Sequence, residues 1–142
     1  MVQGWTFALH AAAARIFEEL CFMMEEEGPD EAASPMRSAS VSFRGGLDGT
    51  LVVSVSDGML SSVVSNMLGD EAVSEESLRD GLGELANVIC GNLMPMVVGE
   101  GAVVRLDAPQ LAEPPSGEPS ASSLLHFESG DARVALYLDE AS

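Results

Sequence analysis

The most regular pattern of apolar and polar positions runs from Glu75 to about Leu93 and has the period of a helix. Leu78, Leu82, Leu85 and Ile89 fall within about 60° of one another on a helical wheel, and Asp80, Glu84, Asn87 and Gly91 fall within about 60° on the opposite side. One face can pack on a core while an acid, a neutral amide and a residue without a side chain look outward together. Gly81 and Gly83 lie in the same stretch, and each costs roughly 1 kcal/mol against Ala inside a helix. A helix that tolerates both glycines points to a demand other than stability.

Around it the pattern alternates between helical and extended. Residues 5–26 read as a helix with Trp5, Leu9, Ala13, Ile16, Phe17 and Leu20 on one side, stopped by Gly28, Pro29 and Asp30. A loop then leads to about Ser38. Ser40 to Arg44 and Thr50 to Ser56 alternate strictly, with Gly45, Gly46, Asp48 and Gly49 between them, which predicts a β-hairpin. Val41 and Phe43 share a face, as do Leu51, Val53 and Val55. Asp57 can cap a second helix over Leu60, Val63, Val64, Met67 and Leu68, ended by Gly69. Ser74 is placed to cap the third helix, with Glu75 and Glu76 at the positive end of its dipole. Pro95, Gly99 and Gly101 are expected to break that helix before a strand from Ala102 to Asp107. Pro114, Pro115 and Pro119 predict an exposed loop from Ala112 to Ser123, and two strands follow, Leu124 to Glu128 and Arg133 to Leu138, joined by Ser129, Gly130 and Asp131.

Composition narrows the partners. The 142 residues make one domain large enough for a core, and 46% are hydrophobic. With 23 acidic and 6 basic residues the formal charge is −17, which argues against nucleic acid and against anionic membrane surfaces. Glu25, Glu26 and Glu27 read as solvated surface. Cys21 and Cys90 sit in apolar helical contexts without metal-ligand spacing, as buried free thiols of a reducing compartment do. The N-terminus has neither a basic region nor a small-residue cleavage site. Ala8 to Met24 is the nearest approach to a spanning segment, and His10, Arg15, Glu18 and Glu19 interrupt it, so a cytoplasmic protein is expected.

Little else carries chemistry. There is no Ser/His/Asp set, phosphate-cradling loop or metal cluster, and His10 and His126 stand apart from any ligand spacing. The glycines at 45, 46 and 49 join two strands rather than a strand and a helix, so they are not a nucleotide-binding turn. For the polar stripe two readings stand: a solvated face, or a site. Glu84 and Asn87 are three residues apart and therefore neighbours on the helix surface. The acid can pair with a cation on a partner, and the amide can orient a water without changing its protonation state. Gly91 lets another backbone approach. With no nucleophile present, any chemistry of the stripe would complete a site on another molecule.

These residues carry a resemblance. The segment D80-G-L-G-E84-L-A-N87-V-I-C-G91-N is similar to the signature of the CheC/CheX/FliY chemotaxis phosphatases, an Asp or Ser, then Glu, then Asn, with a downstream Pro. The stretch from Phe43 to Leu51 resembles the family's first hairpin, the order of elements agrees over most of the chain, and Pro109 lies near where the family proline is expected. A single motif in a chain of this length resembles CheX most. The fold this implies is α/β (α+β), an antiparallel sheet covered by helices, as one domain over residues 1–142. The activity it implies is hydrolysis of the aspartyl-phosphate of a CheY-type receiver. Glu84 would pair with the receiver's lysine, Asn87 would hold the attacking water, and Asp80 and Gly91 would support them. No cofactor is implied for this chain, because the magnesium ion would belong to the receiver. The resemblance also implies a homodimer through sheet edges. A non-catalytic interaction module of the same fold, binding a receiver or a flagellar-switch partner, is the alternative.

Overall fold

A computed structural model describes residues 2–31, 36–45, 47–69, 74–99, 103–111 and 114–139. Three helices, α1 (Val2–Cys21), α2 (Asp57–Leu68) and α3 (Glu75–Val98), accompany six strands. The strands are β1 (Met36–Arg44), β2 (Gly49–Ser56), β3 (Arg105–Leu106), β4 (Gln110–Leu111), β5 (Ala121–Phe127) and β6 (Gly130–Leu138). They form one sheet in the order β3-β1-β2-β6-β5, with β4 also paired to β1, and every pairing is antiparallel.

Register follows from the alternation. Val41 pairs with Leu51, Leu51 with Leu136, and Leu136 with Ala121, so one row of apolar side chains crosses four strands on a single face. That face is buried under the helices together with Leu9, Phe17, Leu60, Leu85 and Ile89. Phe17 of α1 meets Phe127 of β5 with ring centroids 4.8 Å apart. The other face is rich in hydroxyls: Ser38 bonds Ser54 at 2.6 Å and Ser42 bonds Thr50 at 3.3 Å across β1 and β2.

Several boundaries depart from the sequence expectation. Helix α1 ends at Cys21, where Phe22 turns left-handed at φ 57°, well before the Gly28–Pro29 signal. Leu20 accordingly lies exposed, whereas Leu9, Ala13, Ile16 and Phe17 are buried. The residue preceding α2 is Ser56, and Asp57 falls in the first turn; the Ser56 hydroxyl instead accepts from the Asp131 backbone N–H at 3.0 Å. Gly69 ends α2 as expected, at φ 69°, its N–H bonded to the Ser65 carbonyl.

Helix α3 starts where predicted, with Ser74 and Ser77 exchanging a reciprocal capping pair. It does not stop near Leu93 but runs through Pro95 to Val98, ending at Gly99. Proline removes one backbone bond here, while the same turn buries Leu93 and Met94 and packs Val97 on the core. Gly101 and Ala102 lie outside the described residues, and the expected strand reduces to Arg105 and Leu106. Strand β4 lies just before the expected Ala112–Ser123 loop, and β5 begins at Ala121 rather than Leu124. The turn between β5 and β6 falls on Glu128 and Ser129, so Gly130 and Asp131 belong to β6. By length and composition α3 could cross a membrane, yet 50% of that stretch is buried inside this fold.

Candidate functional site

Helix α3 lies across the molecule, touching α1, α2 and β1. Leu82, Leu85 and Ile89 are fully buried and Leu78 packs at the margin of the core. Asp80, Glu84 and Gly91 are exposed and Asn87 is half-buried, so the stripe faces away from the core. Glu84 and Asn87 stand one turn apart, with β-carbons about 5–6 Å from each other. Among the described residues, Asp80, Glu84 and Asn87 have no hydrogen-bond or ion-pair partner. Asn92 differs: its side chain donates to the Val88 carbonyl of its own helix at 3.0 Å. The acid and amide of the stripe thus keep their full bonding capacity for another molecule.

The glycines divide into two kinds. A β-carbon at Gly81 would lie 2.7 Å from both γ-carbons of Val64, so α2 and α3 approach more closely there than any side chain allows. At Gly83 it would lie 3.3 Å from Pro109, which rests on the helix beside Glu84. A substituent at Gly91 would meet nothing within 4 Å. Packing accounts for Gly81 and Gly83, the two glycines that suggested a demand beyond stability. Of the three glycines within α3, Gly91 alone faces open space. Sequence spacing places Pro109 near the motif but gives no sign of its contact with Gly83.

The start of α3 is fixed to the sheet by charge. Arg37 of β1 reaches Glu75 at 2.8 Å and Asp57 at 3.7 Å, and Arg79 stands 3.9 Å from Glu75. The hydrogen bond from Arg37 holds the Glu75 carboxyl below its ordinary range.

Neither histidine is as isolated as its sequence position suggests. His10 contacts Ser123 at 2.6 Å and Glu25 at 2.7 Å. His126 contacts Asp131 at 2.6 Å and the Pro29 carbonyl, and the Asp131 hydrogen bond raises its pKa. Both tie the segment after α1 to β5. Cys21 and Cys90 are buried free thiols whose pKa values burial pushes up to about 12. Among the described residues no group of three or more His, Cys, Asp or Glu side chains is placed to hold a metal ion. The stripe can therefore do two things by its own chemistry: pair with a cation and orient a water.

The sequence model of the family described as "Chemotaxis phosphatase CheX" matches residues 37–127. No curated protein matches the chain in sequence. Among solved structures, CheX from Desulfovibrio desulfuricans superimposes with a TM-score of 0.75 at 17% identity, covering 95% of this chain and 99% of that one. A chain of the CheX–CheY–BeF3–Mg+2 complex from Borrelia burgdorferi gives 0.69 at 17% identity, covering 96% and 98%. FliY from Thermotoga maritima gives 0.58 at 14% identity, covering 94% and 86%. At these identities the structural likeness establishes a shared fold.

Proposed function

The chain belongs to the CheX chemotaxis phosphatase family, and on that premise we propose that it dephosphorylates the aspartate of a CheY-like receiver, with Glu84 docking and Asn87 placing the water. The observation that supports this reading most is the unpartnered pair of Glu84 and Asn87 on the outer side of a helix whose other side is buried. A relative of the same fold was crystallised with CheY.

In the proposed reaction the stripe enters the receiver's site. Glu84 offers its carboxylate to the receiver's lysine and sets the depth and angle of the helix. The Asn87 amide holds a water in line with the acyl-phosphate. The water oxygen attacks phosphorus, the bond to the aspartyl oxygen breaks, and inorganic phosphate and a free carboxylate result. Receiver groups and the receiver's magnesium ion supply the charge stabilisation, so this chain contributes positioning. The exposed Gly91 admits the receiver's backbone, and Asp80 borders the same contact. A homodimer through sheet edges and a cytoplasmic location belong to the same proposal.

The test follows decay of a phosphorylated receiver with and without the protein. Replacing Asn87 with Ala should remove at least about a hundredfold of acceleration, the scale of a lost positioning contact. Asn87 is half-buried but without a partner among the described residues, so the change should alter stability by no more than about 1 kcal/mol. Glu84→Ala should mainly weaken receiver binding, because it removes an intermolecular ion pair. Acceleration that survives Asn87→Ala would refute the role given to the amide. Binding without any acceleration by the native protein would select the non-catalytic module instead.

A further inference from the structure

A groove of about 960 Å³ opens where the hydroxyl-rich sheet face meets the start of α3, on the side away from the stripe. Three of the chain's six basic residues, Arg37, Arg79 and Arg133, line it, with Glu75 as the one acidic residue among its described lining. In a chain of formal charge −17 this gathering of arginines stands out. The register explains the gathering. Ser38 pairs with Ser54 and Ser54 with Arg133, so these three side chains form one row across β1, β2 and β6 on the face away from the helices' core.

Arg37 and Arg79 are partly spoken for, since both reach Glu75. Arg133 is not: among the described residues its guanidinium has no carboxylate partner. On its other side it borders a second groove rimmed by Glu25, Glu26, Glu27 and Asp30, yet it forms no ion pair with them. Ser38 and Ser54 bond each other at 2.6 Å, which leaves further hydroxyl lone pairs turned to the groove. Val52, Ala135, Leu78 and Leu111 supply an apolar floor and wall. A volume of several hundred Å³ with an apolar lining and a few convergent polar groups is the usual form of a small-molecule site.

We propose that this groove binds a small organic anion, its phosphate or carboxylate head at Arg133 beside Ser54 and its apolar body along Val52 and Leu111 toward Leu78. Arginine's planar fork suits either head group. On the far wall Arg37 and Arg79 are balanced by Glu75 and Asp57, which leaves Arg133 as the free cation of the described groove. Leu78, Arg79 and Leu82 of that wall belong to the same helix as Glu84 and Asn87.

The full chain, labelled with nitrogen-15, would be titrated with 1-naphthyl phosphate, 2-naphthoate and, as the neutral counterpart, 1-naphthol, while amide shifts are followed. Saturable shifts at Ser54, Arg133 and Leu78 are expected with the anions and not with 1-naphthol. Whether the phosphate or the carboxylate binds more tightly identifies the head group. Arg133→Gln should weaken binding about tenfold, the scale of a lost charge-assisted contact. Arg105→Gln, which removes the same charge outside the groove, should leave it unchanged. Absence of saturable shifts, equal response to 1-naphthol, or equal binding by the two variants would each overturn the proposal.

Discussion

Replacing Gly81 with Ala sets two effects against each other, and the structure decides which wins. In an open helix the change would stabilise the protein by about 1 kcal/mol. Here the new methyl would meet both γ-carbons of Val64 at 2.7 Å, and ordinary contact begins near 3.4 Å. Val64 is fully buried, so it has no free volume into which to retreat. Its branched side chain is also stiff about χ1, so α2 itself must move. Overpacking of this kind costs about 1–3 kcal/mol, and two simultaneous contacts place it at the upper end. The net expectation is a loss of about 2 kcal/mol, or roughly 1 M in the urea midpoint for a chain of this size. Gly91→Ala, which meets nothing, should gain about 1 kcal/mol by the same propensity. Urea unfolding followed by circular dichroism measures both. Combining Gly81→Ala with Val64→Ala should cost less than the two changes summed, because the smaller side chain makes room. A Gly81→Ala protein as stable as the native one, at unchanged m-value, would refute the close-approach account.

Two further outcomes follow from protonation. The folded-state pKa of His126 is raised, chiefly by Asp131 and then by the Pro29 carbonyl, with desolvation opposing and Glu25 adding a small share. Its stabilising contribution is therefore complete below the unfolded value of about 6.5 and is lost as pH rises through the raised folded value. The melting temperature should fall across that window, and His126→Gln should flatten the fall; an unaltered profile in the variant would dismiss the linkage. Cys21 and Cys90, with thiols pushed up to about 12, should resist iodoacetamide at pH 8 until the protein unfolds. Labelling that outpaces unfolding would show that their burial has been misread.

How much could be read from the chain depended on the distance over which each feature is determined. The stripe was legible because it is local: the spacing of Leu82, Leu85 and Ile89 against Asp80, Glu84 and Asn87 dictates which side is buried. The β1–β2 hairpin was legible for the same reason, since alternation and turn residues lie within twenty positions. The meaning of Gly81 and Gly83 was not, because Val64 and Pro109 come from other elements and only packing brings them near. Pro95 misled in the opposite sense, since a local breaker was overruled by burial of Leu93 and Met94. Strand β4 has two residues, too few for any period to appear, while β3 lies inside the strand expected from Ala102 to Asp107. The arginines of the groove, at 37, 79 and 133, gather only through strand register and helix docking.

The interrupted border beside β1 bears on how copies of this protein could meet. An edge strand exposes unpaired donors and acceptors to any passing chain. Beside β1, among the described residues, such a chain finds only the two-residue strands β3 and β4, with Pro109 between them offering no N–H. The opposite border, β5, is seven residues long, and Glu26 occupies one position of it, at His126. A sheet open on one side can join a single copy of itself about a two-fold axis and then stop, whereas one open on both sides can grow without limit. Among the described residues, that leaves β5 as the longer of the sheet's two borders.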